Sequence, residues 1–467
     1  MTPPVRPTPH VFQTGALSFH RAHRRRTLVA HQPGMGKTYT AIMEMDDVGP
    51  ERVVVACPEF LRENWRRAMV ALSDRTPYVY GLDPNASKGW VQDRGGVLII
   101  GYTKIAQVWD KIASLKPAMF VADEAHVLRN SSSQRGEAAR WLAEYVPNLM
   151  LLTGTPSLGR PIDLYALLRM LDKPKWDNWL RYVYRYCAAH RTPFGLVTTG
   201  ASNLDELNTI LTDSYMHRAT KREYGMEMAV AADVVPLDVA GSMDADTVMA
   251  RAEYDRLVGA AYDEVFQWTD AEGGTRETTV TDLARFGALR QIASRMKLAP
   301  TASWVGDFHR GGNGPLVVFA HHKAFIRELQ ARLKKELPRL KHARLDGDVT
   351  EKTYYRTVDE FQAGNIDTVI CSIAAAGVGI GLTAANHIAF PEMAWTAGEM
   401  QQCIDRVDRI GQTKPVHPHL LAAAGTVDER QAVVLARKQQ SADHMLDGIA
   451  GQRSMFHELA TELKRAA

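Results

Sequence analysis

Short, almost wholly apolar runs recur along this chain in two separated series, each run bounded by Gly, Pro or acidic residues. The first series covers residues 27–30, 52–56, 96–100, 119–122 and 149–152, and the second covers 316–320, 342–345, 368–371 and 387–390. Such runs read as buried parallel strands, because only a sheet covered on both faces hides every side chain of a strand. The pattern predicts an α/β chain with two doubly wound parallel sheets, one in residues 1–226 and one in 227–467. Residues 157–215 read as mostly helical. Residues 244–307 are polar, helix-favouring and short of strand signals, so both stretches are expected to be helical insertions. A chain of 467 residues with 45% hydrophobic content is long enough to bury two sizeable cores.

Composition narrows the function classes. A net charge of +3 is too small to diagnose nucleic-acid binding, so local basic clusters must carry that case. Cys57, Cys187, Cys371 and Cys403 are far apart and form no CxxC, which indicates neither a zinc site nor a disulfide framework. The first residues lack an apolar signal region, and no run of about 18 apolar residues occurs. A cytoplasmic protein with no membrane partner is expected, nucleoid-associated if bacterial or viral.

Chemistry concentrates in three motifs. Gly34-Met35-Gly36-Lys37-Thr38 follows the first strand, where glycine backbone N–H groups can approach phosphate oxygens at a helix N-terminus. There Lys37 neutralises β/γ-phosphate charge and Thr38 offers a hydroxyl to magnesium. His31 occupies the place of the usual leading glycine, and an ordinary Gly-rich turn is the competing reading. Asp123-Glu124-Ala125-His126 ends another apolar strand. Asp123 can reach the magnesium shell and Glu124 can orient or deprotonate an attacking water; an acidic turn capping the next helix is the alternative. Near the far end, Gln402 opens a run through Gln412 in which Arg406 and Arg409, three apart on a predicted helix, share a face. Arginines aimed at a transferring phosphoryl group supply roughly 10³–10⁵-fold in rate, whereas a solvated face or ion pairs to Asp405 and Asp408 is the plainer reading. A nucleotide held by the first two motifs meets these arginines only when two lobes close over it, so an ATP-driven motor is expected.

Taken in order, these motifs and their neighbours resemble the SWI/SNF-type helicase-like ATPases of helicase superfamily two, with matches from about residue 9 to 448. Gln13 resembles the upstream adenine-contacting glutamine of that family. Val53-Val54-Val55-Ala56-Cys57-Pro58 with Asn64-Trp65, Thr153-Gly154-Thr155-Pro156, Leu345-Asp346-Gly347 and the glycine-rich run 375–383 resemble its further motifs. Gly425 to Arg430 with Lys438-Gln439-Gln440 resembles its helical brace, placed at about 425–467. Arg160 to Tyr165, Phe194-Gly195, 200–207 and Phe319-Ala320-His321-His322-Lys323 are similar to the strand-annealing, fork-remodelling branch. The resemblance implies two RecA-like lobes and ATP and magnesium as cofactors. Gln13, Gly34, Met35, Gly36, Lys37, Thr38, Gly377, Gly379 and Gln402 would hold the nucleotide, with Thr38 and Asp123 on the metal. His31-Gln32-Pro33 and Asp408 depart from the usual pattern without removing a phosphate-contacting side chain.

DNA contacts are written less directly, because phosphate binding needs cations and backbone donors but no base-reading groups. Arg21 to Arg26 and the stretch 334–344 are the densest basic runs, each as consistent with a solvated face as with DNA. The resemblance instead implies contacts from Thr103, Lys104, Thr153, Gly154, His321, His322, Lys323, Ser372, Ala374 and Trp395, with Trp395 as ordinary core the competing reading. The implied function is a monomeric ATP-dependent translocase on double-stranded or forked DNA that remodels or anneals it without obligatory strand separation. A protein partner in replication, repair or phage biology is possible on this reading. Two alternatives stay open: a strand-separating DNA or RNA helicase, and a DNA-binding clamp or assembly subunit that uses ATP slowly as a switch.

Overall fold

Alternation decides how the first sheet is buried. In the strands β1 (Arg26–His31), β2 (Val53–Cys57), β3 (Pro77–Val79), β4 (Val97–Gly101), β5 (Met119–Ala122) and β6 (Asn148–Leu152), successive side chains leave opposite faces. Val54, Ala56, Leu98, Ile100, Phe120 and Ala122 pack on one side; Val53, Val55, Cys57, Ile99, Met119 and Val121 pack on the other. Both sides are apolar because helices cover both. The computed structural model describes residues 6–49, 51–129, 133–154, 160–193, 195–260, 265–269, 274–279, 282–374, 381–394, 397–429 and 431–432. Its chain divides into two compact units, the first ending at Met226 and the second beginning at Glu227.

In the first unit the hairpin β7 (His190–Thr192) and β8 (Gly195–Val197) precedes β9 (Met216–Ala219), and the main sheet runs β3-β4-β2-β5-β6-β1-β9, all parallel. The second unit contains β10 (Asp233–Leu237), the hairpin β11 (Val265–Thr269) and β12 (Thr275–Thr279), then β13 (Leu316–Ala320), β14 (His342–Leu345), β15 (Thr368–Ser372), β16 (His387–Phe390) and β17 (His417–Ala423). Its parallel sheet is ordered β10-β17-β16-β13-β15-β14. Every run predicted from the sequence is a strand of one of these sheets.

The strands that sequence reading passes over carry polar residues. β3, β9 and β10 lie at sheet edges, where one side of the ladder faces no neighbour and polar residues are tolerated. β10 carries Pro236 for the same reason. β17 lies inside the sheet, yet its His417-Pro418-His419 opening hides the pattern; Pro418 pairs with Ile388 of β16 and has no partner on β10, whose ladder begins at His419. The stretch 244–307 is not free of strands. It holds β11 and β12 between the helices Ala245–Gly259 and Asp282–Met296, because Val265, Trp268 and Thr269 on one side of Gly274 and Thr275 and Thr279 on the other favour a hairpin. All four cysteines are free and buried. Among the described residues no helix is long and apolar enough to cross a membrane.

Candidate nucleotide and nucleic-acid site

Parallel strands bring the loops after β1, β2, β4, β5 and β6 together at the carboxyl ends of the strands of the first sheet, where such folds bind ligands. After β1 the backbone turns through Gly34 (φ 84°) and Gly36 (φ 71°), left-handed positions that glycine takes without strain. Gly36 caps the helix Lys37–Asp47. Lys37 Nζ donates to the carbonyls of His31 (2.9 Å) and Gln32 (3.4 Å), so the ammonium lies within the curve of the loop. Gln13, buried in the helix Val11–Ala22, donates from Nε2 to the carbonyls of Met35 and Gly36 (3.5 and 3.3 Å), and its Oε1 accepts from the His10 amide. The Met35 side chain is buried against Phe12 and Ala219, which leaves only its backbone for a phosphate. Thr38 is half-buried in the first turn of the helix. His31, the departure noted in the sequence, is buried with Nε2 3.0 Å from Nδ1 of His217, and burial lowers its pKa to about 2.

Asp123 follows β5 and is almost fully buried. Its Oδ2 accepts from the Trp65 indole (2.8 Å) and its Oδ1 from the Glu124 amide (2.8 Å). Burial, followed by the charge of Glu124, raises its pKa to about 6. A divalent cation would reverse that penalty, so the donor set fits magnesium held by Asp123 and Thr38. Glu124 adopts a left-handed backbone (φ 48°). Its Oε2 lies 3.3 Å from His126 Nδ1, which is 3.2 Å from the Thr153 hydroxyl. Gly154 then packs on the phosphate loop: a Cβ there would lie 2.6 Å from Pro33 Cγ and 2.7 Å from Cδ. The acidic motif, the loop after β6 and the loop after β1 are thereby in mechanical contact.

Several sequence expectations change. Thr153 is fully buried, so its side chain serves His126 and is not available to DNA. Thr103 is exposed and held by Glu59, through its amide (2.8 Å) and its hydroxyl; Lys104 beside it is exposed. The basic run before β1 is largely internal wiring. Arg21 and Arg25 bind the buried Glu44 (3.3 and 2.7 Å), and Arg26 donates to the carbonyls of Ala143, Val146, Met170 and Leu171. Sequence reading gave no roles to Trp65, Glu59 or Tyr102, whose hydroxyl donates to the Asp123 carbonyl (2.6 Å); Asn64-Trp65 was the one available signal.

In the second unit the helix Ala397–Val407 carries Gln402, half-buried, and Arg406. The helix stops before Arg409, so the two arginines do not share a face: Arg406 is 3% exposed, whereas Arg409 is half-buried and donates from Nε to the Asp405 carbonyl (3.1 Å). Glu392 organises the turn after β13, accepting from the amides of His321 and His322 (both 2.8 Å) and lying 2.7 Å from His322 Nδ1. Despite full burial its pKa falls to about 2, because the His322 and Ser294 hydrogen bonds and the His322 charge outweigh desolvation. Lys323 is exposed and pairs with Asp348 (2.7 Å). Ser372 is buried at the end of β15 and Ala374 is exposed. Gly377, Gly379, Trp395, Thr155-Pro156, Arg430 and Lys438-Gln439-Gln440 lie outside the described residues.

A glycine-rich loop and paired carboxylates at the carboxyl ends of the strands of one parallel sheet, with a second parallel-sheet unit that carries an arginine motif before its strand β17, are the arrangement of a helicase-like ATPase core. Residues 13–235 match the SNF2-related domain and residues 300–411 the helicase conserved C-terminal domain. The chain belongs to the SWI/SNF-type helicase-like ATPases of superfamily two. It is 29% identical over 92% of its length to the Drosophila melanogaster SWI/SNF-related matrix-associated actin-dependent regulator of chromatin subfamily A-like protein 1. It is 28% identical over 94% of its length to the Bos taurus DNA annealing helicase and endonuclease ZRANB3. The matches span 55% and 40% of those relatives. The Pyrococcus furiosus Hef helicase domain shares the fold, with a TM-score of 0.51 at 14% identity over 91% of this chain and 98% of that one.

Proposed function

We propose that this chain is an ATP-dependent translocase on double-stranded DNA that remodels or anneals forks and bubbles, or displaces bound proteins, without obligatory strand separation. The observation that carries the reading is the run of contacts from Pro33 to Gly154, Thr153, His126 and Glu124. It makes the residue that orients the attacking water a sensor of two neighbouring loops, as a motor needs if hydrolysis is to change its grip on a track. Two similar proteins are named as annealing or chromatin-directed members of the family, which favours DNA as that track.

In this mechanism Lys37 neutralises phosphate charge, and Gln13, beside the loop, contacts the base. Thr38 and Asp123 would hold magnesium, which would supply further neutralisation of phosphate charge. Glu124 orients water, and Arg406 and Arg409 stabilise the charge of the transferring group. The test is steady-state ATPase without nucleic acid and with single-stranded DNA, blunt duplex, forked duplex and RNA, with Lys37→Ala as control. Stimulation by duplex or fork, abolished in the variant, is the expected result. Turnover that stays slow with every DNA would overturn the translocase reading.

A further inference from the structure

Backbone and side chain of Asp123 are both fixed by partners from other segments. Its amide donates to the Ala56 carbonyl (2.8 Å), and its carbonyl accepts from the Tyr102 hydroxyl (2.6 Å). Its carboxylate takes the Glu124 amide on Oδ1 and the Trp65 indole on Oδ2, each at 2.8 Å. One hydrogen bond on each oxygen sets the plane of the group and leaves each oxygen a lone pair for a cation. The indole, moreover, brings no charge. An arginine or lysine in its place would neutralise the carboxylate ahead of any metal, whereas Trp65 orients it and leaves its charge intact.

Trp65 is held in turn. It is 1% exposed, early in the helix Arg62–Leu72, within the core that contains Val55, Cys57, Leu61 and Met69. Just before that helix, Glu59 accepts from the amide (2.8 Å) and the hydroxyl of Thr103, the chain neighbour of Tyr102. Between Glu59 and Trp65, Arg62 donates to the Tyr80 carbonyl (2.7 Å). The contacts close a ring, from Asp123 to Trp65, along the chain to Glu59, across to Thr103, and back through Tyr102 to Asp123. A buried indole N–H needs one acceptor, but satisfying it does not need a ring. What the ring adds is a fixed position for the carboxylate.

We propose that residues 59–65 are the positioning element of the metal site, with Trp65 setting the orientation in which Asp123 offers its oxygens to a divalent cation and Glu59 holding the segment in place. The proposal rests on the reading of Asp123 as a magnesium carboxylate and adds to it the residues that determine how tightly the cation is held.

The experiment is an electron paramagnetic resonance titration of Mn²⁺ into the full chain saturated with ADP, which reads bound metal without turnover. Fluorescent-nucleotide affinity in EDTA and the melting temperature are measured alongside. Trp65→Phe, which removes the N–H and keeps a ring, is expected to weaken Mn²⁺ binding roughly tenfold or more, with nucleotide affinity in EDTA unchanged. Glu59→Ala, at the outer end of the ring, should weaken it about threefold. In steady-state ATPase the magnesium concentration for half-maximal rate should rise by a larger factor than kcat falls at saturating magnesium. Wild-type Mn²⁺ affinity in a folded Trp65→Phe would overturn the proposal; should that variant not fold, wild-type affinity in Glu59→Ala overturns it instead. A matching loss of nucleotide affinity in EDTA would also overturn it, because the damage would then reach beyond the metal. Asp123→Asn separates the two readings. If it binds Mn²⁺ as the wild type does, the assignment of the metal to Asp123 fails; if it loses Mn²⁺ while Trp65→Phe and Glu59→Ala keep it, only the positioning role of residues 59–65 fails.

Discussion

Gly154 shows how one residue transmits position between loops. Its Cα faces the Pro33 ring so closely that a Cβ would lie 2.6 Å from Cγ, and a proline ring cannot swing aside as a long side chain can. Gly154→Ala should therefore displace the segment that leads into the phosphate loop, at the 1–3 kcal/mol that overpacking typically costs. The expected outcome is ATP affinity weakened by about 5- to 100-fold, read by titration with a fluorescent nucleotide, with binding lost more severely than folding. A variant that binds nucleotide normally but melts earlier would show that the contact only packs. The glycines and Lys37 of the loop were legible in the sequence because their spacing is local. The contact of Gly154 with Pro33 was not, nor was the Trp65 hydrogen bond to Asp123, because each joins segments far apart in the chain.

At the scale of elements, a buried polar network ties the helix Val11–Ala22 to β1, β6 and the helix Lys37–Asp47. His20 reaches the Thr27 hydroxyl (2.6 Å) and Asn148 Oδ1 (2.8 Å), and Asn148 donates to Glu44 (3.1 Å), on which Arg21 and Arg25 converge. Burial lowers the His20 pKa to about 4 from 6.5, with the nearby arginines adding to the effect. The folded state therefore keeps this imidazole neutral while the unfolded chain takes up a proton below pH 6.5. Stability is lost as pH falls from 6.5 towards 4 and is not recovered below it. At pH 5 the cost is about 2 kcal/mol. Urea unfolding at pH 7 and pH 5 should show the first unit losing about that much more in the wild type than in His20→Gln; equal losses would mean that His20 is not the group responsible. This network also explains why the run Arg21 to Arg26 reads as a nucleic-acid patch in sequence: its counter-charge, Glu44, sits within the helix that begins at Lys37. The strands were legible wherever both faces are apolar, as in β2 and β5, and lost where an edge or the histidines of β17 broke the pattern. Arg406 and Arg409 were misplaced on one face because a spacing of three implies a shared face only while the helix lasts, and it ends at Val407.

Across the whole molecule, the proposed mechanism assigns ground-state contacts and transition-state charge to different units. Gln13, Lys37, Thr38, Asp123 and Glu124 all belong to the first, and the arginines belong to the second. This division predicts that nucleotide binding and turnover separate by unit. Lys37→Ala should lose both. Arg409 is the better probe of the second unit, because Arg406 is buried and its loss would disturb packing, whereas Arg409 is half-buried. Arg409→Ala is expected to leave fluorescent-nucleotide affinity nearly unchanged while lowering DNA-stimulated kcat by roughly 10³-fold or more, since an arginine that meets charge only in the transition state does not contribute to ground-state binding. Single-turnover hydrolysis with bound nucleotide measures the step directly. A raised KM with unaltered kcat would assign Arg409 to substrate binding, and the motor's chemistry would then rest on the first unit alone.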